Sequence, residues 1–303
     1  MTVQPSILVG VDGTERDRDA LALAQLLAKP SDAQLALVTV VPVPPAPWFE
    51  NDWLNDETRD IARDVLERAR ELAGEAADVT LRAVEAPSPA HGLARVAEEL
   101  GAVAIVVGRT HRGRLTHLAG VPERLLHAAP CAVAVAPPAY GEREPALTRV
   151  VVAFDAYPEA QVALAQGVAL AAASGASVRA LGVVEHYALA TSPPLDPVHE
   201  ESMRQARESL QQGIERAGAH ADVVVEGDLG EGAAGRLLAT ASREADLLVC
   251  GTRGSGPLGA LLLGSVSSFL SHEAACPVLA VPRGVPSLVS HRRTGIASAG
   301  TRA

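Results

Sequence analysis

The chain repeats itself at a constant spacing. The apolar run from Ile7 to Val11 and the Asp12 that follows it return as a run ending at Asp155, 143 positions later. Gly108, at the end of another apolar run, returns as Gly251 at the same spacing. Repeats of solenoid proteins are only about 20–50 residues long, so this spacing indicates two copies of one domain. The 303 residues are enough for two ordinary domains.

The spacing changes once, in the window between Gly108 and Cys131. Cys131 and Pro137 return as Cys276 and Pro282, 145 positions later, so the second copy has two additional residues in this window. The sequence therefore predicts one domain over residues 1–140 and a second over residues 146–284. Residues 285–303 are rich in Ser, Gly and Arg and show no periodicity, which predicts a disordered tail.

Each copy alternates short apolar runs with helical patterns. Strands that are apolar throughout and alternate with helices predict a parallel sheet with helices on both faces. The clearest helix covers residues 58–73, and we expect its apolar row of Ile61, Val65, Ala69 and Leu72 to face the core. The fold class predicted from the residues is therefore α/β.

A glycine-rich stretch follows the fourth strand of the second copy. Gly251 and Gly254 are followed, after nine residues, by Gly264 and Ser265, which open an apolar helical pattern. Glycine lets the backbone approach a ligand closely. A helix N-terminus offers unpaired N–H groups and a partial positive charge. The stretch therefore predicts a phosphate site made of backbone groups.

This spacing of glycines, closed by Gly-Ser, resembles the nucleotide-binding signature of the universal stress protein family. The resemblance implies two tandem Rossmann-like domains of the adenine nucleotide α-hydrolase-like class. Each would have a five-stranded parallel sheet in the order 3-2-1-4-5 flanked by helices, with the ligand crevice between strands one and four. The fifth strands, at 132–136 and 278–281, are apolar sheet edges. Uncovered edges invite pairing, and the resemblance implies that the two domains pair through them, with a homodimer of whole chains left open.

The resemblance also implies a set of ligand contacts. For ATP, with or without magnesium, the expected contacts in the second copy are Ala153, Phe154, Asp155, Val183, Cys250, Gly251, Gly254, Gly264, Ser265, Val266 and Ser267. The first copy keeps Val11, Asp12 and Gly108 as counterparts of a degenerate site.

The degeneracy of the first copy lies in its loop. When the two copies are aligned, His111 corresponds to Gly254, and Ala119 and Gly120 correspond to Gly264 and Ser265. Three arginines, at 109, 112 and 114, carry charge that can offset part of this loss. We expect the second copy to be the competent nucleotide binder.

Several of these features have a second interpretation. Asp12 and Asp155 can cap the following turn instead of contacting a ligand. The pattern from Gly254 to Gly259 also fits the G-x-G-x-x-G dinucleotide fingerprint, but it follows strand four and not strand one. The aromatic residues Trp48, Phe49 and Trp53 either cover the first site or pack on the sheet edge.

Two further features predict no chemistry of their own. Ser265 has no His–acid pair placed to activate it, so no catalytic residue is assigned. His111 and His117 lie six positions apart, which is not a regular metal-ligand spacing, so no metal site is assigned either.

Composition excludes several classes of function. A formal charge of −10 and a pI near 5.4 argue against non-specific nucleic-acid binding. Lys29 is the only lysine, which excludes a Walker A motif. The apolar runs are too short to span a membrane, and the first residues do not predict a signal peptide. The three cysteines are an odd number in apolar runs, which favours reduced thiols and a cytoplasmic location.

Three functions stay open from the sequence. The first is a nucleotide-binding stress protein whose occupancy sets its interactions with an unidentified protein partner. The second is an interaction module that binds no nucleotide. The third is an enzyme that processes an adenylate, for which the sequence offers no catalytic lysine or general base at the phosphates.

Overall fold

A computed structural model describes residues 4–43, 56–74, 78–109, 120–185, 197–218, 223–252 and 265–289. Strands and helices alternate along both halves. The first half contains β1 (Ser6–Gly10), α1 (Arg16–Ser31), β2 (Gln34–Pro42), α2 (Asp56–Ala73), β3 (Val79–Ala86), α3 (Pro89–Leu100), β4 (Ala104–Gly108), α4 (Val121–Ala128) and β5 (Ala132–Ala136). The second contains β6 (Arg149–Phe154), α5 (Pro158–Ser174), β7 (Ser177–Val184), α6 (Pro197–Gly218), β8 (Val225–Glu231), α7 (Ala234–Ala241), β9 (Leu247–Gly251), α8 (Ser265–Glu273) and β10 (Val278–Val281).

The strands form one ten-stranded sheet in the order β3-β2-β1-β4-β5-β10-β9-β6-β7-β8. Within each half every pairing is parallel, and the order 3-2-1-4-5 predicted for each domain is confirmed. The two fifth strands, β5 and β10, pair antiparallel with Leu279 opposite Ala134, which is the pairing expected from their apolar edges. Each domain thus covers the sheet edge of the other.

Helices cover both faces of the sheet because the strands are apolar on both faces. One face carries α1, α2, α5 and α6, and its buried residues form one core that runs through both halves. The other face has separate cores, one under α3 and α4 and one under α7 and α8. Successive strand residues alternate between the faces: Ile7 and Val9 belong to the first core and Leu8 to the second.

The buried face of α2 agrees with the prediction at Ala69 and differs from it at Ile61 and Leu72. The helix buries Ala62, Leu66, Ala69 and Ala73, whereas Ile61 is 58% exposed and Leu72 is 40% exposed. Two apolar rows lie one position apart on this helix, so periodicity alone does not choose between them. The buried row consists of Leu66 and three alanines, whose side chains are smaller than those of Ile61 and Leu72. Small side chains let the helix approach the sheet closely.

The segment after each fifth strand docks on the first helix of its own domain. In the first half, the buried Asp19 of α1 accepts hydrogen bonds from the N–H groups of Ala139 (3.1 Å) and Gly141 (2.8 Å). In the second half, Gln166 Oε1 of α5 accepts from Ser287 Oγ (3.2 Å) and Leu288 N (3.1 Å).

The tail is therefore ordered further than the sequence predicts. Leu288 is fully buried in the core under α5. One leucine with one polar partner creates no periodic pattern, so sequence patterning could not separate it from the tail. Residues 290–303 lie outside the described residues. Among the helices in the described ranges, none combines the length and apolar composition that a membrane crossing demands.

Candidate functional site

The carboxyl ends of β6 and β9 lie side by side. These strands pair in parallel, with Val152 opposite Val249, so the residues that follow them meet at one edge of the sheet. Asp155 comes directly after β6, and Gly251 is the last residue of β9. A cavity of about 460 Å³ opens at this edge. The position agrees with the rule that ligands of doubly wound sheets bind beyond the carboxyl ends of the strands.

Most of the expected contacts of the second copy line this cavity. They are Ala153, Phe154, Asp155, Val183, Cys250, Gly251, Ser265, Val266 and Ser267. Gly254 and Gly264, the other two glycines of the signature, lie outside the described residues. The structure therefore gathers residues from β6, β7, β9 and α8 that are more than a hundred positions apart in the chain.

Gly251 is required by packing within the protein. A β-carbon at this position would lie 2.8 Å from the backbone carbonyl carbon of Glu159 and 2.9 Å from its β-carbon. Glu159 is in the first turn of α5, so the glycine lets that helix begin directly against β9. These contacts require a glycine at this position whether or not a ligand approaches it.

The first turn of α8 forms one wall of the cavity. Ser265, Val266 and Ser267 line it, and Ser267 is buried. The N–H groups of a first helical turn have no partner within the helix. Together with the positive end of the helix dipole they favour an anion in the cavity.

Asp155 caps a turn, the first of the two interpretations left open by the sequence, and it also lines the cavity. Its Oδ1 accepts a hydrogen bond from the N–H of Tyr157 at 3.0 Å, so the side chain caps the turn after β6. The same residue also lines the cavity. Capping holds the carboxylate at the cavity edge.

The wall also contains residues that the sequence analysis did not single out. They are Tyr157, Glu159, Ala160, Leu181, Glu185, Ala234 and Leu238. Position in the fold points to three of them: Glu159 and Ala160 lie in the first turn of the helix after β6, and Glu185 directly follows β7, so all three lie at the ligand edge of the sheet. Leu238 and Ala234 come from α7, for which the sequence carried no such signal.

Acidic groups dominate the charged part of the wall. In the described part of the chain the wall includes Asp155, Glu159 and Glu185 but no lysine or arginine. Glu185 Oε1 accepts a hydrogen bond from the N–H of Ala234, the first residue of α7, at 3.3 Å. No group of three or more His, Cys, Asp or Glu side chains within the described ranges is arranged to hold a metal ion.

Cys250 lines the cavity as an apolar group. Burial raises the pKa of its thiol to about 12, so the sulfur stays protonated at neutral pH. Cys131 and Cys276 are also buried free thiols whose pKa burial raises to about 12. A thiol in this state is neither a nucleophile nor a redox group.

The corresponding cavity in the first half is much smaller than the cavity in the second half. A cavity of about 100 Å³ is lined by Val11, Asp12 and Gly108, the three residues expected there. Arg16 also lines it and pairs with Asp12, with 2.5 Å between Nη2 and Oδ2. Thr14 also donates its hydroxyl to Asp12, at 2.6 Å. Glu159 is the counterpart of Arg16 in the second half, so Glu159 and Asp155 cannot form the equivalent ion pair.

Asp17 adds a buried carboxyl group to the first cavity. It is 3% exposed, and it accepts hydrogen bonds from the N–H groups of Asp12 (3.0 Å) and Gly13 (2.8 Å). Burial raises its pKa to about 6, although these hydrogen bonds act in the opposite direction. Ala160 is its counterpart in the second half. His111, His117, Ala119, Trp48, Phe49 and Trp53 lie outside the described residues.

Comparisons with known proteins agree on one family. The model of the universal stress protein family matches residues 5–137 and again residues 147–282. Universal stress proteins of Mycobacterium bovis and of Mycobacterium tuberculosis are each 28% identical to this chain over an alignment of 292 residues, which covers 91% of this chain and 96% of theirs. The crystal structure of a universal stress protein from Archaeoglobus fulgidus has a TM-score of 0.65 at 19% identity, and the match covers 93% of this chain and 97% of that one. Since the family model matches both halves, the chain belongs to the universal stress protein family and carries two tandem domains of it.

Proposed function

We propose that the second half binds an adenine nucleotide, ATP being the expected one, in the cavity between β6 and β9. The observation that carries the proposal is the convergence of Asp155, Gly251 and the first turn of α8 on one cavity of about 460 Å³. The α8 turn supplies N–H donors for phosphate. The apolar wall around Val183 and Leu181 suits a base.

Magnesium fits the proposal as a companion of the phosphates. Three carboxylates stand in the wall beside the position of an anion, and their charge opposes a bare triphosphate. Magnesium is usually held by one or two carboxylates together with substrate phosphates. Asp155 and Glu159 are the residues that would hold it, and the ion would offset the repulsion between them and the nucleotide.

The first half supports no second nucleotide in this proposal. Its cavity is about 100 Å³, with the Arg16–Asp12 ion pair at its edge and Asp17 buried in its wall. The expected stoichiometry is one nucleotide per chain.

We further propose that nucleotide occupancy regulates contacts with a protein partner in the cytoplasm. The buried free thiols suit a reducing compartment. The fifth strands are already paired within the chain, so a homodimer of whole chains would need another surface. A non-enzymatic function is part of this proposal.

Two variants of the signature test nucleotide binding. We expect mass spectrometry of the purified chain to detect bound adenine nucleotide, and Gly264→Val to remove most ATP binding in a titration with magnesium. Ala119→Val, at the corresponding position of the first half, is the matched control and should leave binding unchanged. Absence of ATP binding by the unaltered chain would favour the interaction module that binds no nucleotide. Release of ADP or AMP at a steady rate would favour the enzyme.

A further inference from the structure

The C-terminal end of α8 is held by an arginine of the other domain. Arg109 follows β4 in the first half, where its N–H donates to the carbonyl oxygen of Ala136 at 2.8 Å. Its Nη1 reaches across the domain boundary and donates to the carbonyl oxygens of His272 and Ala274, both at 2.8 Å. The carbonyl groups of a last helical turn lack partners within the helix. A cation at this end also interacts favourably with the helix dipole.

A second contact joins the same helix end to α4. His272 Nε2 lies 2.6 Å from Oε1 of Glu123, and Oε2 of that residue accepts a hydrogen bond from the N–H of Gly120 at 3.0 Å. Burial raises the pKa of Glu123, but the bonds from His272 and the Gly120 N–H outweigh it, so the pKa lies below its usual value. The carboxylate therefore links the first turn of α4 to the last turn of α8.

These contacts act on the helix that forms the phosphate wall. The α8 helix has nine residues, Ser265–Glu273, without an internal glycine or proline. At 1.5 Å per residue it is only about 13 Å long. A helix this short moves as one body, so fixing the end near His272 also fixes where Ser265 and Ser267 stand in the cavity wall.

Among the described residues, the first half supplies these contacts to the second half, and the second half supplies no equivalent contacts in return. Thr252 is the counterpart of Arg109. Its side chain is short and buried, and its backbone N–H donates to the carbonyl oxygen of Val281. Ser268 is the counterpart of Glu123. The first half therefore supplies a long cation and a carboxylate to the phosphate helix of the second half, and the corresponding residues of the second half cannot return either contact.

We propose that Arg109 and Glu123 are positioning residues for the second site, so that the first domain acts as a support for nucleotide binding by the second. The inference rests on the proposed function, and it replaces the expectation that Arg109 provides charge for a phosphate in its own half. Binding linkage is reciprocal. Nucleotide bound at α8 should therefore also strengthen the contact between the two domains.

The test compares Arg109→Met with Arg124→Met in the full chain. Methionine keeps an apolar stem and removes the donor, and Arg124 is an exposed arginine on α4 that serves as the matched control. With ATP and magnesium as the probe, we expect calorimetry to give an affinity at least about fivefold weaker for Arg109→Met, the lower end of typical coupling between sites. Arg124→Met should bind as the unaltered chain does, and Arg109→Lys should recover part of the loss.

Hydrogen exchange gives a readout that needs no ligand. The amides of Phe269 and Leu270 close the first turn of a helix that begins at Ser265. We expect these two amides to exchange about fivefold faster or more in Arg109→Met than in Arg124→Met. If the unaltered chain binds no ATP, the proposed function fails and exchange alone decides the positioning role. Unchanged exchange, or unchanged affinity in a chain that does bind ATP, would overturn the inference.

Discussion

Gly251→Ala tests whether the glycine at the end of β9 serves packing or ligand approach. The added β-carbon would lie 2.8–2.9 Å from backbone and Cβ atoms of Glu159, closer than such contacts tolerate. Backbone atoms cannot move aside as a flexible side chain can, so the first turn of α5 must shift. Overpacking of this kind typically costs about 1–3 kcal/mol of stability.

The structure provides two controls for this variant. Gly108→Ala creates the same conflict in the first half, with the added carbon 2.7 Å from Cβ and from the carbonyl oxygen of Arg16. Gly218→Ala, at the end of α6, meets nothing within 4 Å. We expect urea denaturation to show a loss of about 1–3 kcal/mol for each of the first two variants and no loss for Gly218→Ala.

Affinity separates the two roles of the glycine. Glu159 and Ala160 line the cavity, so a shift of the first turn of α5 in Gly251→Ala should also weaken ATP binding. Gly218→Ala should lose neither stability nor affinity. The packing explanation is refuted if Gly251→Ala is as stable as Gly218→Ala, in particular if its ATP affinity nevertheless falls.

Two further predictions concern buried groups. Asp17 has its pKa raised from 3.8 to about 6 in the folded chain, so its contribution to stability is fully present below pH 3.8 and is lost as the pH rises through 6. The difference in unfolding free energy between the unaltered chain and Asp17→Asn, measured by urea denaturation, should therefore change by up to about 3 kcal/mol between pH 4 and pH 7. The unaltered chain should be relatively more stable at pH 4 than at pH 7. A difference that does not change with pH would contradict this. Leu288→Ala should cost about 2–5 kcal/mol of stability because the side chain is fully buried. The control Ser287→Ala removes only hydrogen bonding by the hydroxyl group, which should cost about 1 kcal/mol. Equal stability of the two variants would show that the segment after β10 is not part of the core.

The sheet could be predicted from the sequence because its signals are local and occur twice. Strands such as β1 and β4 are apolar on both faces. Because the two copies are 143 residues apart, each of these strands in the first half predicts the corresponding strand in the second. The pairing of β5 with β10 follows from the same physics, since an apolar edge needs a partner. The strand order, by contrast, came from the resemblance to a family.

Other features depend on contacts between distant parts of the chain. The choice between Ile61 and Ala62 as the buried side of α2 depends on how closely the helix approaches the sheet. Leu288 is docked by Gln166, 122 positions earlier, and Arg109 reaches carbonyl groups 163 and 165 positions later. No local pattern encodes such pairs, so sequence reasoning assigned Arg109 to the nearest phosphate loop.

The sequence predicts which residues line the candidate site better than it predicts what each of them does. The signature places Gly251 and Ser265 at the cavity, as the structure has them. Gly251 nevertheless contacts Glu159, and Asp155 caps a turn as well as lining the wall. A motif indicates which residues meet, but only the packing around them shows what each side chain touches.

The central claim is that one half of the chain binds nucleotide and the other does not. Val183 and Val40 occupy corresponding positions and line the larger and the smaller cavity. Calorimetric titration of the full chain with ATP and magnesium, in unaltered, Val183→Phe and Val40→Phe forms, tests the claim directly, with melting temperatures confirming that each variant folds. We expect one nucleotide per chain, binding abolished by Val183→Phe and binding retained in Val40→Phe. Two equivalent nucleotides per chain, or binding that survives Val183→Phe and disappears in Val40→Phe, would contradict it.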